Sequence, residues 1–241
     1  MRLLVTRPEP DASLEAEKLV ARGHEPVLAP LLAIEFVPGV TLELPGAQAL
    51  IVTSRNALRA LASHSELEAA RKLPLFAVGE ATARAAAKLG FAEVTRGPGT
   101  ASGLPELIRG KLKPEGGKLV HLAGETLAFD LKSALEAEGF SLRQPVLYRT
   151  VPARDFPAQA LSLLKAGKLD GAILMSPRTA RIFALLLDRH GVVTEGKRLV
   201  CYCLSQAVAE ALEALGLRVR VALHPREEDV LALLDSEAAS S

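Results

Sequence analysis

The chain has 241 residues, 49% of them hydrophobic, and a formal net charge of +1, which suits one or two globular domains and excludes a disordered or fibrous protein. Charge is balanced with no long block of one sign, which excludes the broad basic face of a nucleic-acid-binding protein; any anion must be gripped locally. The opening Met1-Arg-Leu-Leu-Val-Thr-Arg-Pro run is too short for a signal peptide, and charges interrupt every later apolar run before a bilayer is spanned, so a cytoplasmic protein with no membrane partner is expected.

From the N-terminus, Leu3 to Thr6 reads as a strand, Ala12 to Ala21 as a helix and Pro26 to Leu28 as a strand. An extended, proline-marked segment, Pro30 to Pro38, reads as a connector. Next come strand Leu50 to Thr53, helix Ala57 to Leu61, strand Leu75 to Val78, helix Ala81 to Leu89 and strands Ala92 to Thr95 and Leu119 to Leu122. Helix Phe129 to Glu138 leads to a second proline-marked connector, Pro145 to Pro152. The last third gives strand Ile173 to Met175, helix Thr179 to Asp188, strand Leu199 to Leu204, helix Ala207 to Leu215, strand Arg218 to Ala222 and helix Asp229 to Leu234. Short apolar runs alternating with segments of helical period predict an α/β fold with parallel sheets covered by helices. Gly90, Gly139 and Gly216 stand where helices stop, as left-handed caps. Cys201 and Cys203, one residue apart in an apolar strand, read as a reduced core pair. Arginine outnumbers lysine 19 to 10 and there is a single asparagine, a thermophile-like bias that bears on stability alone.

The halves of the chain resemble each other. An offset of 122 lays Leu50-Ile-Val-Thr-Ser on Ala172-Ile-Leu-Met-Ser, and an offset of 126 lays Leu75-Phe-Ala-Val-Gly on Cys201-Tyr-Cys-Leu-Ser. At an offset of 116, Arg2-Leu-Leu-Val meets Lys118-Leu-Val-His and Gly23 meets Gly139. Two domain partitions are compatible with this repeat. If both connectors cross between domains, an inserted domain spans 39 to 145, the other is discontinuous, 1 to 30 plus 153 to 241, and 31 to 38 with 146 to 152 form a two-stranded connector.

Glycine-rich phosphate loops, G-x-S-x-G and H-E-x-x-H are absent from the sequence, and the five histidines are scattered, so no metal or organic cofactor is expected. Gly97 to Thr100 reads as a plain loop. What remains is a set of strand-to-helix junctions, where unpaired N–H groups, the helix dipole and a hydroxyl together bind anions. They are marked by Thr6-Arg7-Pro8, Ser54-Arg55-Asn56, Gly79-Glu80-Ala81, Gly124-Glu125-Thr126, Ser176-Pro177-Arg178 and Ser205-Gln206-Ala207. Candidate binding residues are therefore Thr6, Arg7, Ser54, Arg55, Gly79, Ser176, Arg178, Ser205 and Gln206; the plain alternative is that each hydroxyl caps its own helix and each arginine is solvated. Repetition of the arrangement in both halves predicts a donor-lined cleft. Tyr148 sits on a connector, as a proton donor to that cleft or as packing between connectors, and Thr82 lies one turn into its helix.

Leu4-Val-Thr-Arg-Pro8, Gly23 followed by Pro30-Leu, Ile51-Val-Thr-Ser-Arg-Asn56, Ala77-Val-Gly-Glu-Ala-Thr-Ala83, Val146-Leu-Tyr-Arg149 and Ile173-Leu-Met-Ser-Pro177 occur in an order that resembles uroporphyrinogen-III synthases over almost the whole chain. The resemblance implies two α/β domains in the discontinuous partition and a substrate, hydroxymethylbilane, which is a linear tetrapyrrole with eight carboxylates. It implies closure to uroporphyrinogen III with loss of water and inversion of the terminal pyrrole, without a cofactor, by a monomer. Tyr148 matches the family's connector tyrosine, thought to help the hydroxyl leave, and Thr82 the threonine of a Gly-x-x-Thr-Ala turn. Val208 departs from the pattern, standing where the family often has a second threonine. Other readings are a two-lobed, non-enzymatic binding protein for an anionic metabolite and a nucleotide-sugar transferase, the latter lacking an acidic metal motif.

Overall fold

The apolar runs become strands because their side chains are enclosed on both sheet faces: Leu3 to Val5, Ala49 to Val52 and Val200 to Cys203 are all buried, as parallel sheets covered by helices require. The computed structural model describes residues 1–238. The chain begins with β1 (Arg2–Val5), α1 (Asp11–Val20), β2 (Glu25–Leu28), β3 (Leu32–Phe36), β4 (Ala47–Val52), α2 (Arg55–Ala62), α3 (Leu67–Ala70) and β5 (Leu75–Ala77). It continues through α4 (Glu80–Lys88), β6 (Val94–Arg96), α5 (Leu104–Arg109), β7 (Lys118–Gly124), α6 (Leu131–Glu136), β8 (Leu142–Arg143) and β9 (Val146–Pro152). The last elements are α7 (Ala158–Lys165), β10 (Gly171–Leu174), α8 (Pro177–Arg189), α9 (Val193–Gly196), β11 (Val200–Cys203), α10 (Gln206–Glu210), β12 (Arg218–Val221) and α11 (Glu227–Ala238). Two units result, the first made of Met1–Ala33 and Val151–Ser241 and the second of Ile34–Thr150. No helix among the described residues is long and apolar enough to cross a membrane.

The first unit holds a parallel sheet ordered β12-β11-β10-β1-β2. The strand order reverses between β1 and β10, the switch point of an open α/β sheet. Alternation builds two cores: Leu4, Leu174, Cys201 and Cys203 join one cluster, Leu3, Val5, Ile173 and Tyr202 the other. Both cysteines are free, and burial pushes each thiol up to about 12, which leaves them poor nucleophiles.

The second unit's sheet runs β8-β7-β4-β5-β6, again parallel, with the switch point between β7 and β4. Beyond the end of β7 the chain adds β9, which places Tyr148 opposite Gly124. β9 in turn pairs with β3: the Val37 N–H donates to the Leu147 carbonyl at 2.9 Å and the Ala153 N–H to that of Leu31 at 2.9 Å, an antiparallel order. Arg149 and Glu35 form an ion pair at 2.7 Å on this ribbon.

Some elements differ from the expectation. Helices α5 and α7 each bury only two residues, Leu104 with Ile108 and Ala160 with Leu164, too few to make a visible period. The strand expected at 92 to 95 lies at Val94–Arg96. The helix expected from Phe129 begins at Leu131, because the Asp130 carboxylate caps it by accepting the Ser133 N–H at 3.0 Å; Gly124-Glu125-Thr126 is therefore a strand end and a loop. The helix expected over 207 to 215 stops at Glu210 and resumes as a 3-10 turn closed by Gly216 at φ 61°. Thr6-Arg7-Pro8 starts no helix either. Pro8 and Pro10 bring no N–H to a cap, and α1 begins at Asp11.

Candidate functional site

In a parallel sheet all carboxyl ends lie at one edge, and ligands bind outside it at the switch point. In the second unit this edge follows β4 and β7, where Ile51 pairs with His121. Ser54 follows β4 in extended backbone and caps α2, its Oγ accepting the Asn56 N–H at 3.2 Å. His121 is only 1% exposed and is held at both ring nitrogens. Its Nδ1 lies 3.1 Å from Gln144 Oε1 and its Nε2 lies 3.1 Å from Thr53 Oγ1. An amide oxygen only accepts, so Nδ1 carries the proton, Nε2 is the acceptor and the Thr53 hydroxyl donates to it. Burial lowers the His121 pKa below its ordinary value, against a smaller opposite pull from Gln144, so the ring is neutral at neutral pH.

Thr53, Ser54, His121, Gly124 and Tyr148 line one cavity of about 460 Å³, closed on another side by the loop Thr126 to Phe129. Gly124 makes room for the tyrosine: a Cβ there would fall 2.5 Å from the Tyr148 ring and 2.7 Å from its hydroxyl. The Glu125 N–H fixes the strand beneath by donating to the Tyr148 carbonyl at 2.9 Å. Gly79, the residue just before α4, packs against Gly99, a residue of the same cavity; a Cβ on Gly79 would sit 3.1 Å from Gly99 Cα. Arg55 opens α2, and Thr82 is buried on α4; neither lines the cavity.

In the first unit Ser176 caps α8, accepting the Thr179 N–H at 3.1 Å with its oxygen 2.8 Å from the Thr179 hydroxyl. Arg178 is the second residue of that helix. Ser205 precedes the five-residue α10 without a side-chain cap bond, and Gln206 is exposed. Val208 is buried in the core, which accounts for an apolar residue at that turn. Two candidates are corrected. Thr6 is fully buried and donates its hydroxyl proton to the Ile173 carbonyl at 2.6 Å, so it ties β1 to β10. Arg7 faces three carboxylates, Glu227 at 3.2 Å and Asp11 and Glu15 at 3.7 Å, which occupy its charge. Burial pushes buried Glu15 up to about 7 despite Arg7.

The grouping of Thr53, His121 and Gln144 went unseen in the sequence. Its signal lay in the repeat: at the offsets above, His121 stands opposite Val5 and Thr53 opposite Met175, a polar pair in place of an apolar one.

The family model described as Uroporphyrinogen-III synthase HemD matches residues 14–232. Among solved structures, the uroporphyrinogen-III synthetase of Helicobacter pylori is 20% identical, with 98% of each chain covered and a TM-score of 0.68. A mutant uroporphyrinogen III synthase from the extremely thermophilic bacterium Thermus thermophilus is 19% identical over 100% of each chain, with a TM-score of 0.57. No curated protein matches the sequence significantly. The two structures share a mixed α/β fold with this chain, and the family match runs through both units, so the chain belongs to the uroporphyrinogen-III synthase family.

Proposed function

We propose that the hydroxymethyl end of the substrate reacts in the second unit's cavity, where Tyr148 gives a proton to the departing oxygen. Uroporphyrinogen-III synthases cyclise hydroxymethylbilane to uroporphyrinogen III, and this chain is such an enzyme. Loss of the hydroxyl leaves an azafulvene-type electrophile that closes unaided to the uninverted isomer. The protein's main task is then to hold the chain so that the substituted carbon of the last ring attacks, which is catalysis by positioning. The observation that carries the assignment is the Tyr148 ring seated over Gly124 beside the switch point, in a cavity with polar walls. A phenolic O–H can donate a hydrogen bond or a proton to a departing oxygen.

The substrate carboxylates are shared, in this reading, among helix-start donors: Ser54 with Arg55 at α2, Gly79 at α4, Ser176 with Arg178 at α8, and Ser205 with Gln206 at α10. Thr82, buried on α4 and not among the residues that line this cavity, is kept as a proposed second hydroxyl of the reaction. Thr6 and Arg7 drop out because their polar atoms are engaged inside the first unit. The inserted domain 39 to 145, the discontinuous domain 1 to 30 plus 153 to 241, and the connector strands 31 to 38 and 146 to 152 are the proposed organisation, two copies of one module. Unit boundaries within both connectors support it.

The test is Tyr148→Phe with hydroxymethylbilane under single-turnover conditions. A rate lower by roughly ten- to ten-thousand-fold is expected, general-acid help being commonly 10²- to 10⁴-fold and this leaving group labile. An unchanged rate in a folded variant removes the assignment and leaves Tyr148 as packing.

A further inference from the structure

We propose that Thr53, His121 and Gln144 form a proton-accepting chain that takes the pyrrole N–H proton as the hydroxyl leaves, with Thr53 the group that touches the substrate and His121 a positioning residue behind it. Three observations carry this. The chain crosses the switch point, the one place where adjacent parallel strands diverge and leave room for a ligand. Its hydroxyl end lines the same cavity as Tyr148. At the equivalent place in the first unit the residues are Val5, fully buried, and Met175, so the sheet itself does not need a histidine there. A buried imidazole costs free energy unless both nitrogens are bonded, and Gln144 and Thr53 supply both bonds.

The direction of those bonds sets the chemistry. Thr53 spends its proton on His121 Nε2, so its lone pairs are what it can offer a ligand, and a pyrrole N–H is a donor. The inference rests on the reading that this cavity holds the reacting end of the substrate. As the C–O bond breaks, the first ring's N–H bond gives its electron pair to the ring and its proton to Thr53 Oγ1, while the Thr53 proton moves to His121 Nε2. The oxygen departs as water with the proton of Tyr148, leaving imidazolium and phenolate. When the substituted carbon of the terminal ring attacks, the same nitrogen recovers its proton through Thr53. The spiro intermediate then opens at the bond to the third ring and recloses through the terminal ring's unsubstituted carbon, and the phenolate takes the proton that this carbon loses. Protons and charge therefore balance over the cycle. Gln144 Oε1 accepts from Nδ1 throughout and steadies the imidazolium.

The experiment compares Thr53→Val, Thr53→Ser, His121→Gln and the double variant Thr53→Val/His121→Gln in single-turnover closure of hydroxymethylbilane, with KM measured alongside. Thr53→Val is nearly isosteric and is expected to lower the rate by roughly 10²-fold with KM changed less than about threefold. Thr53→Ser keeps the hydroxyl and should stay within about threefold of the parent rate. The double variant should be no slower than Thr53→Val by more than about twofold, since the two residues act as one unit. A full rate in Thr53→Val, an equal loss in Thr53→Ser, or a double-variant loss equal to the product of the single losses overturns the proposal. Tyr148→Phe in the same series separates the two failures: a normal rate there removes the cavity assignment, whereas slowed Tyr148→Phe beside a normal Thr53→Val removes the proton-accepting chain alone.

Discussion

Around their switch points the two units set out strands in matching fashion, β2-β1-β10-β11-β12 in the first and β8-β7-β4-β5-β6 in the second, yet they finish the place in opposite ways. In the first, Thr6 ties the strand ends together and Val5 joins the core. In the second, His121 and Thr53 open onto a cavity. One step away the contrast inverts: α1 carries buried Glu15, and at the same offset of 116 α6 carries buried Leu131. A fold supplies the location of a site, but two or three side chains decide whether it is used.

The strongest way to break this comparison is to exchange the pairs. Thr53→Met with His121→Val gives the second unit the first unit's residues, and a loss of roughly 10²-fold or more in turnover is expected; parental turnover would mean the polar pair is only structural. The reverse change, Val5→His, buries an imidazole among apolar neighbours and should cost about 2–4 kcal/mol of stability in denaturant titration with turnover unaltered. A stability change near zero would show that the first switch point is less tightly closed than its packing indicates.

Glu15 sharpens the comparison through pH. Its folded value, about 7, lies above the ordinary 4.5, so the folded state holds a proton that the unfolded chain has lost. Stability is therefore fully present below about 4.5 and falls as pH rises to about 7, by about 3 kcal/mol in all. Glu227, which burial alone would raise, is held below its usual value by Lys18 and Arg7, so Glu15→Gln is the cleaner probe. Its gain over the parent in urea titrations should grow from under about 1 kcal/mol at pH 5 to about 3 kcal/mol at pH 8. A gain that does not change with pH would place the proton elsewhere.

Smaller differences follow at the helix starts. Ser176 meets both the N–H and the hydroxyl of Thr179, whereas Ser54 caps through the Asn56 N–H alone. Ser176→Ala is expected to cost about 1 kcal/mol and Ser54→Ala about half that, read by thermal unfolding. The exposed Arg149 to Glu35 pair on the β3–β9 ribbon should matter least, with Arg149→Ala costing less than about 0.5 kcal/mol.

The strands were legible because a buried parallel strand is a run of apolar residues with a turn at each end, and Gly90, Gly139 and Gly216 marked helix ends because each takes a positive φ. Helices α5 and α7 were not, having one fully buried apolar pair apiece. Tyr148 stood out as a polar aromatic residue on a connector. His121 did not, since a histidine within Leu119 to Leu122 looks like core until its two partners arrive from the residue after β4 and from the turn before β9. Arg7 looked available for the corresponding reason: Glu227, which engages it, comes from the far end of the chain.

The bond from Val37 to Leu147 has a genetic consequence. The chain enters the second unit and leaves it on neighbouring strands, so the unit's two ends are adjacent in space. Splicing such a segment into a host gene lengthens one surface connection and asks no strand of the host to move.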